Sequence, residues 1–182
     1  MLLAYMFIAD YSIKFKITAG WFASVVIRGS RLYASNSNSK EILIFEYAQT
    51  WSKVKSVASR SQPTNLQTLT LALTEQRLIA CSSQDNQCYF YTTLGESVGQ
   101  HEVKLDRPYI CGSYSDDSVL IADQGNHRLV VMNEQGELRA LGLQPQVPQP
   151  RGAVLVKNEL FVTSGSSKTI YQYNGRSTKH QL

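Results

Sequence analysis

Val119-Leu120-Ile121-Ala122-Asp123 is one of four copies of a short apolar phrase. The others are Arg31-Leu32-Tyr33-Ala34-Ser35, Arg77-Leu78-Ile79-Ala80-Cys81 and Glu159-Leu160-Phe161-Val162-Thr163. Aligned as written, they recur at intervals of 46, 42 and 40 residues and predict that Ala34, Ala80, Ala122 and Val162 hold equivalent buried positions. The phrases are short apolar and β-branched runs bounded by Gly, Asn, Ser and Asp, which marks strands. A strand-bearing period in the low forties is the signature of propeller blades, each a four-stranded antiparallel sheet.

Each phrase has apolar neighbours on both sides. Downstream, across a polar loop, lie Ile42–Phe45, Cys88–Tyr91, Leu129–Met132 and Ile170–Tyr173, completing hairpins. Upstream lie Ala23–Ile27, Leu69–Leu73, Tyr109–Cys111 and Ala153–Val156, read as the innermost strands, where small residues suit a crowded axis. Pro63, Pro108 and Pro150 stand ahead of three of these, where the chain crosses between blades and a missing amide hydrogen costs little. No stretch sustains a helical period.

Ile121-Ala122-Asp123-Gln124-Gly125-Asn126-His127-Arg128-Leu129 closely resembles the core phrase of NHL repeats, the blades of six-bladed propellers found, for example, in tripartite-motif proteins. Pro108 and the Asn133-Glu134-Gln135-Gly136 turn fall where that family has its inter-blade proline and outer turn. The other copies replace Asn126-His127-Arg128 with Asn38-Ser39-Lys40, Gln84-Asp85-Asn86 and Ser166-Ser167-Lys168, so their assignment rests on periodicity. The resemblance covers roughly residues 21 to 182.

The expected organisation is one all-β propeller segment over 1–182: a partial N-terminal hairpin at 1–20, then blades at roughly 21–62, 63–107, 108–149 and 150–182. Six blades would need about 240 to 260 residues, so the segment reads as part of a larger or incomplete propeller. Open strand edges would then invite self-association.

The 182 residues are 43% hydrophobic and 18% charged, enough to bury a core. A net charge of +4 permits an acidic partner without demanding one. Met1–Ala9 is apolar, but no positive charge precedes it and Asp10 ends it early, so a cleaved signal is not expected. No run reaches the roughly 20 apolar residues that span a bilayer, and a soluble protein without membrane contact is expected. Three cysteines, Cys81, Cys88 and Cys111, are too few for a disulfide scaffold and fit a reducing cytoplasm, with Cys81 and Cys88 as buried thiols.

The loops after the repeated phrases and the connections between blades should emerge on one face. They carry Lys40, Arg128 and Lys168, and Arg60, Arg107 and Arg151, respectively. His127 joins this partner-binding set, although a loop residue bonded to its own blade is the plainer role for it. Clustered basic side chains are a footprint for phosphate, and relatives of NHL proteins use that face for protein partners and in some cases RNA. Glu41, Asp85, Asp106 and Asp123 share these loops and cut the excess to about +2 in that tally.

No aromatic residues interleave with the basic ones as base-stacking sites need. The expected function is therefore a non-catalytic, protein-binding module, with RNA binding as the alternative. No cofactor or metal is expected, because none of the three histidines has a second ligand at a metal-binding interval. Enzymes on related propellers, such as lactonases and amidating lyases, gather carboxylates, histidines and a metal at the axis. The inner strands here carry no carboxylate pair, so a metal-dependent lactonase or lyase would rest on fold analogy alone.

Overall fold

The computed structural model describes residues 4–7, 13–17, 21–37, 39, 41–48, 50–58, 69–101 and 103–174, with backbone alone for 4–7, 13–17, Trp51, Ala58, Gln100 and His101. Among these residues the protein is all-β, with seventeen strands and no helix. It follows that no helix is long and apolar enough to cross a membrane.

Strands β1 (Ala4–Phe7) and β2 (Ile13–Ile17) form a two-stranded antiparallel sheet. The first blade is β3 (Phe22–Arg28), β4 (Arg31–Asn36), β5 (Glu41–Tyr47) and β6 (Trp51–Ala58). The second is β7 (Leu69–Leu73), β8 (Arg77–Ser82), β9 (Gln87–Thr92) and β10 (Ser97–His101). The third is β11 (Pro108–Ser115), β12 (Ser118–Asp123), β13 (Arg128–Asn133) and β14 (Leu138–Ala140). The fourth has three strands among the described residues, β15 (Pro150–Val156), β16 (Glu159–Ser164) and β17 (Ile170–Asn174). Every blade is a meander in chain order, as a propeller requires.

Strand register corrects the alignment of the repeats. The pairs Asn36↔Glu41, Ser82↔Gln87 and Asp123↔Arg128 each enclose a four-residue turn. Constant turn length makes Asp123 the counterpart of Ser82 and Asn36, so Ile121 and not Ala122 is equivalent to Ala34, Ala80 and Val162. The true intervals are 46, 41 and 41 residues. Ala122 is fully buried too, but on the opposite face of its sheet. The mistake was invisible by hydropathy because β12 is buried on both faces and reads as one unbroken apolar run.

In the corrected frame each second strand divides its residues between two interfaces. Leu78 and Ala80 pack toward the first blade with Tyr33, Ile42 and Ile44. Ile79 and Cys81 pack toward the third blade with Val119, Ile121, Val130 and Met132. Leu120 and Ala122 then meet Leu160 and Val162 of the fourth. Alternation of side chains along a strand thus produces a continuous row of blade-to-blade cores.

Cys81 and Cys88 face each other across β8 and β9 and form a disulfide, which overturns the expectation of two buried thiols. Opposed register places their Cα atoms 4.1 Å apart. A loop spacing of six intervening residues could not show that the two positions are opposed; the strand pairing does. Cys111 remains a thiol at the third interface, where burial pushes its pKa up to about 11 against the weaker lowering by hydrogen bonds from the Ala122 and Ala153 backbone.

Each inner strand is an edge of its own sheet, and its outward amides need partners beyond the ladder. Two equivalent hydroxyls supply them. Ser24 Oγ accepts the Leu71 amide at 3.0 Å, and Thr70 Oγ1 accepts the Ile110 amide at 2.9 Å. At the next equivalent position stands Tyr109, whose ring instead lies under the Arg151 guanidinium at 5.3 Å. Pro108 and Pro150 open β11 and β15, where no ladder bond is lost; Pro63 lies outside the described residues.

Candidate functional site at the turn-bearing end

The turns between second and third strands and the connections between blades gather at one end of the protein, and hydrogen bonds join them. In the third blade the turn is built around Asp123, whose side chain is 0% exposed. Its Oδ1 accepts the Asp106 amide at 2.7 Å, Asn126 Nδ2 donates to both carboxylate oxygens at 3.0 Å, and Arg128 Nε donates to Oδ2 at 2.7 Å. A carboxylate removed from water is stable only when its lone pairs are engaged in this way. Arg128 also donates through Nη2 to the Lys104 carbonyl at 3.1 Å. Gly125 permits the close approach: a Cβ there would lie 1.9 Å from Asp106 Oδ2 and 2.8 Å from its Cβ.

A second device repeats between blades. Asn86 and His127 hold the same place in their turns and both have left-handed backbone, at φ 57° and 55°. Asn86 Oδ1 accepts the Arg107 amide at 2.7 Å, and His127 Nδ1 accepts the Gln149 amide at 2.9 Å. Arg107 and Gln149 are themselves equivalent, each preceding the proline that opens an inner strand, and both are left-handed at φ 50° and 46°. Asn and His tolerate this conformation better than most residues and carry an acceptor that reaches a neighbouring amide. Gln146 Nε2 adds a bond to the His127 carbonyl at 2.7 Å.

Of the predicted site residues, Arg107, His127, Arg128, Arg151 and Lys168 are described. Lys40 and Arg60 lie outside the described residues. Arg107, His127, Arg151 and Lys168 are exposed, whereas the Arg128 guanidinium is occupied by Asp123 and the Lys104 carbonyl. Arg107 lies 3.8 Å from the Asp106 carboxylate, so two of the predicted cations have a carboxylate neighbour. Arg151 stacks on Tyr109, a contact that orients a cation without neutralising it. Register also shows that Lys168 matches His127 rather than Arg128, because Ser164 holds the place of Asp123.

Asn86, Gln149, Gln146 and Asp123 were absent from the predicted set. A fixed count of four turn residues would have pointed to Asn86 and His127 as counterparts. Nothing in the sequence marks Gln149 as their partner.

Two cavities flank the connection between the third and fourth blades. One, of about 290 Å³, is lined by His127 and Arg128 together with Leu129, Gln146 and Val147. The other, of about 330 Å³, opens between Leu143, Leu155, Leu160 and Tyr173. Among the described residues no three His, Cys, Asp or Glu side chains gather in a way that could hold a metal ion.

No protein-family model and no curated protein matches the chain. Solved structures do match it over most of its length. A protein of unknown function from Bacteroides caccae is 11% identical, with a TM-score of 0.68 over 95% of this chain and 71% of that one. A catalytically inactive virginiamycin B lyase from Staphylococcus aureus, solved with quinupristin, is 12% identical, with a TM-score of 0.67 over 93% of this chain and 62% of that one. The computationally designed Ika4 protein is 9% identical, with a TM-score of 0.60 over 86% of this chain and 92% of that one. This chain spans 54 to 62% of the lengths of three virginiamycin B or streptogramin B lyase chains. At these identities the likeness establishes one thing, the β-propeller fold.

Proposed function

We propose that this chain is a non-catalytic, NHL-like binding module that recognises a protein partner through its turn-bearing end. The observation carrying this reading is the hydrogen-bonded frame around Asp123, Asn86 and His127, which fixes the loops while leaving Arg107, Arg151 and Lys168 exposed. Side chains on a rigid frame lose less entropy on binding, which favours recognition. The Ile121–Leu129 phrase supports the NHL assignment. Arg128 acts in this reading as a positioning residue, and Lys40 and Arg60 complete the predicted set.

RNA is the second reading, favoured by the charge of Arg151 and Lys168, which have no carboxylate partner among the described residues. The carboxylates beside Arg107 and Arg128 favour protein, since phosphate would have to compete with them. The lyase names of the neighbours supply the third reading.

Arg151→Glu and Lys168→Glu separate these readings. Each should abolish recovery of partners that cross-link to the natural chain, at unchanged melting temperature. If RNA is the ligand, log K should fall with log salt at about −0.7 per phosphate contact, and each variant should flatten that slope by one contact's share. Turnover of quinupristin by the purified chain would overturn the non-catalytic reading.

A further inference from the structure

We propose that the larger cleft between the third and fourth blades binds an uncharged, hydroxyl-rich ring: a saccharide unit. Its volume of about 330 Å³ falls within the range of small-ligand sites. The far wall carries Asn158 and Asn174, which lie at the end of the fourth blade opposite the turn-bearing end, while Leu141–Gln144 divide the cleft from the cavity beside His127 and Arg128.

The chemistry of the lining selects the ligand. Four carboxamides, Gln144, Asn158, Gln172 and Asn174, face the cleft. Each offers both a donor and an acceptor, which is what a hydroxyl requires of its partner. The side chains of Gln144, Asn158 and Asn174 make no hydrogen bond among the described residues, while the Gln172 amide donates to Glu159 Oε1 at 3.1 Å and keeps its carbonyl free. The Tyr173 hydroxyl donates to the Pro145 carbonyl at 2.5 Å, which holds its ring in the wall beside Tyr114. Leucines fill the spaces between, giving the apolar surface on which the C–H face of a sugar ring packs.

Among the described residues no charged side chain lines this cleft, unlike the neighbouring cavity with its Arg128 and His127. An ionic ligand entering it would shed hydration without gaining a counter-charge. A purely apolar ligand would cover several amides and leave them unpaired. A neutral polyol avoids both penalties.

Gly142, which lines this cleft and the neighbouring cavity, can carry an obstructing side chain, because a Cβ added there meets nothing within 4 Å and its backbone is outside the left-handed region. The test uses the full chain with methyl glycosides of neutral hexoses and N-acetylhexosamines, set against hexuronates and hexosamines, read by saturation-transfer NMR and calorimetry. At least one neutral glycoside should bind in preference to its charged counterparts. Asn158→Ala and Gln144→Ala should each weaken that binding about fivefold, the loss of one hydrogen bond. Gly142→Tyr should abolish it at unchanged melting temperature. Failure of every neutral glycoside, tighter binding of a charged sugar, or binding indifferent to Gly142→Tyr would overturn the proposal.

Discussion

The third and fourth blades repeat the same succession of strands and are buried very differently. Every residue of β12 is buried, whereas β16 alternates, with Leu160 and Val162 packed against the third blade and Phe161 and Thr163 turned away. Val154, Val156 and Ile170 share that outward face, at 54, 47 and 67% exposure. The two blades differ in having, or lacking, a following blade among the described residues. Burial in this fold is therefore a property of the interface between blades and not of the blade that carries the residues.

Substitutions at matched positions can break this comparison. The largest effect is expected at the turns. Asp123→Ala should cost about 4 kcal/mol, because Arg128, Asn126 and the Asp106 amide all lose a buried partner. Ser164→Ala, at the same place in the fourth blade, should cost about 1 kcal/mol, since it removes neutral hydrogen bonds at an exposed site. Denaturant titration of the two variants checks the difference, and equal losses would contradict it.

Core truncation should follow the same asymmetry on a smaller scale. Ile121→Ala empties a fully buried position between the second and third blades and should cost about 3 kcal/mol. Phe161→Ala, half-buried on the outward face of the fourth blade, should cost under about 1 kcal/mol because no following sheet packs on it among the described residues. A Phe161→Ala loss matching that of Ile121→Ala would mean that the outward face is covered in solution.

His127→Ala should cost about 1 kcal/mol by freeing the Gln149 amide, and His127→Asn should recover most of it, because Asn86 performs the same service at φ 57°. Thermal melts of the pair distinguish this positioning role from a side chain used only for partner contact, which would leave both variants at the natural melting temperature.

The smallest effect is expected within the first interface. The Tyr89 hydroxyl is buried without a hydrogen-bond partner among the described residues, unlike that of Tyr33, which donates to the Thr93 carbonyl at 2.8 Å. Burial, aided by the nearby Asp85 and Tyr91, pushes the Tyr89 pKa up to about 12. Its folded value exceeds the unfolded one of 10.0, so the folded state holds this proton longer, and the associated stability is lost as pH rises from 10 through 12. Tyr89→Phe should leave stability at neutral pH within about 1 kcal/mol and flatten the alkaline loss. An unchanged slope of stability against pH in that window would refute the assignment to Tyr89.

The candidate site was partly legible in the sequence. The Ile121–Leu129 phrase drew attention to His127 and Arg128, but it concealed that Arg128 serves Asp123 and that Asn86 is the counterpart of His127. Equivalence across blades depends on where a strand ends, and an apolar run buried on both faces gives no mark of its register. The amide-lined cleft was not legible at all, because Gln144, Asn158 and Asn174 come from separate segments and none of them belongs to a motif.

The sequence by itself determined the all-β class, the number of repeated hairpins and the positions of the first three strands of each blade. These follow from local alternation and turn chemistry, which act over a few residues. Tertiary structure decided the register, the Cys81–Cys88 pairing, the bond from the Gln149 amide to His127 and the partial exposure of Phe161. Each of these depends on an atom contributed by another strand or another blade, and side-chain identity at one position carries no information about what the fold brings against it.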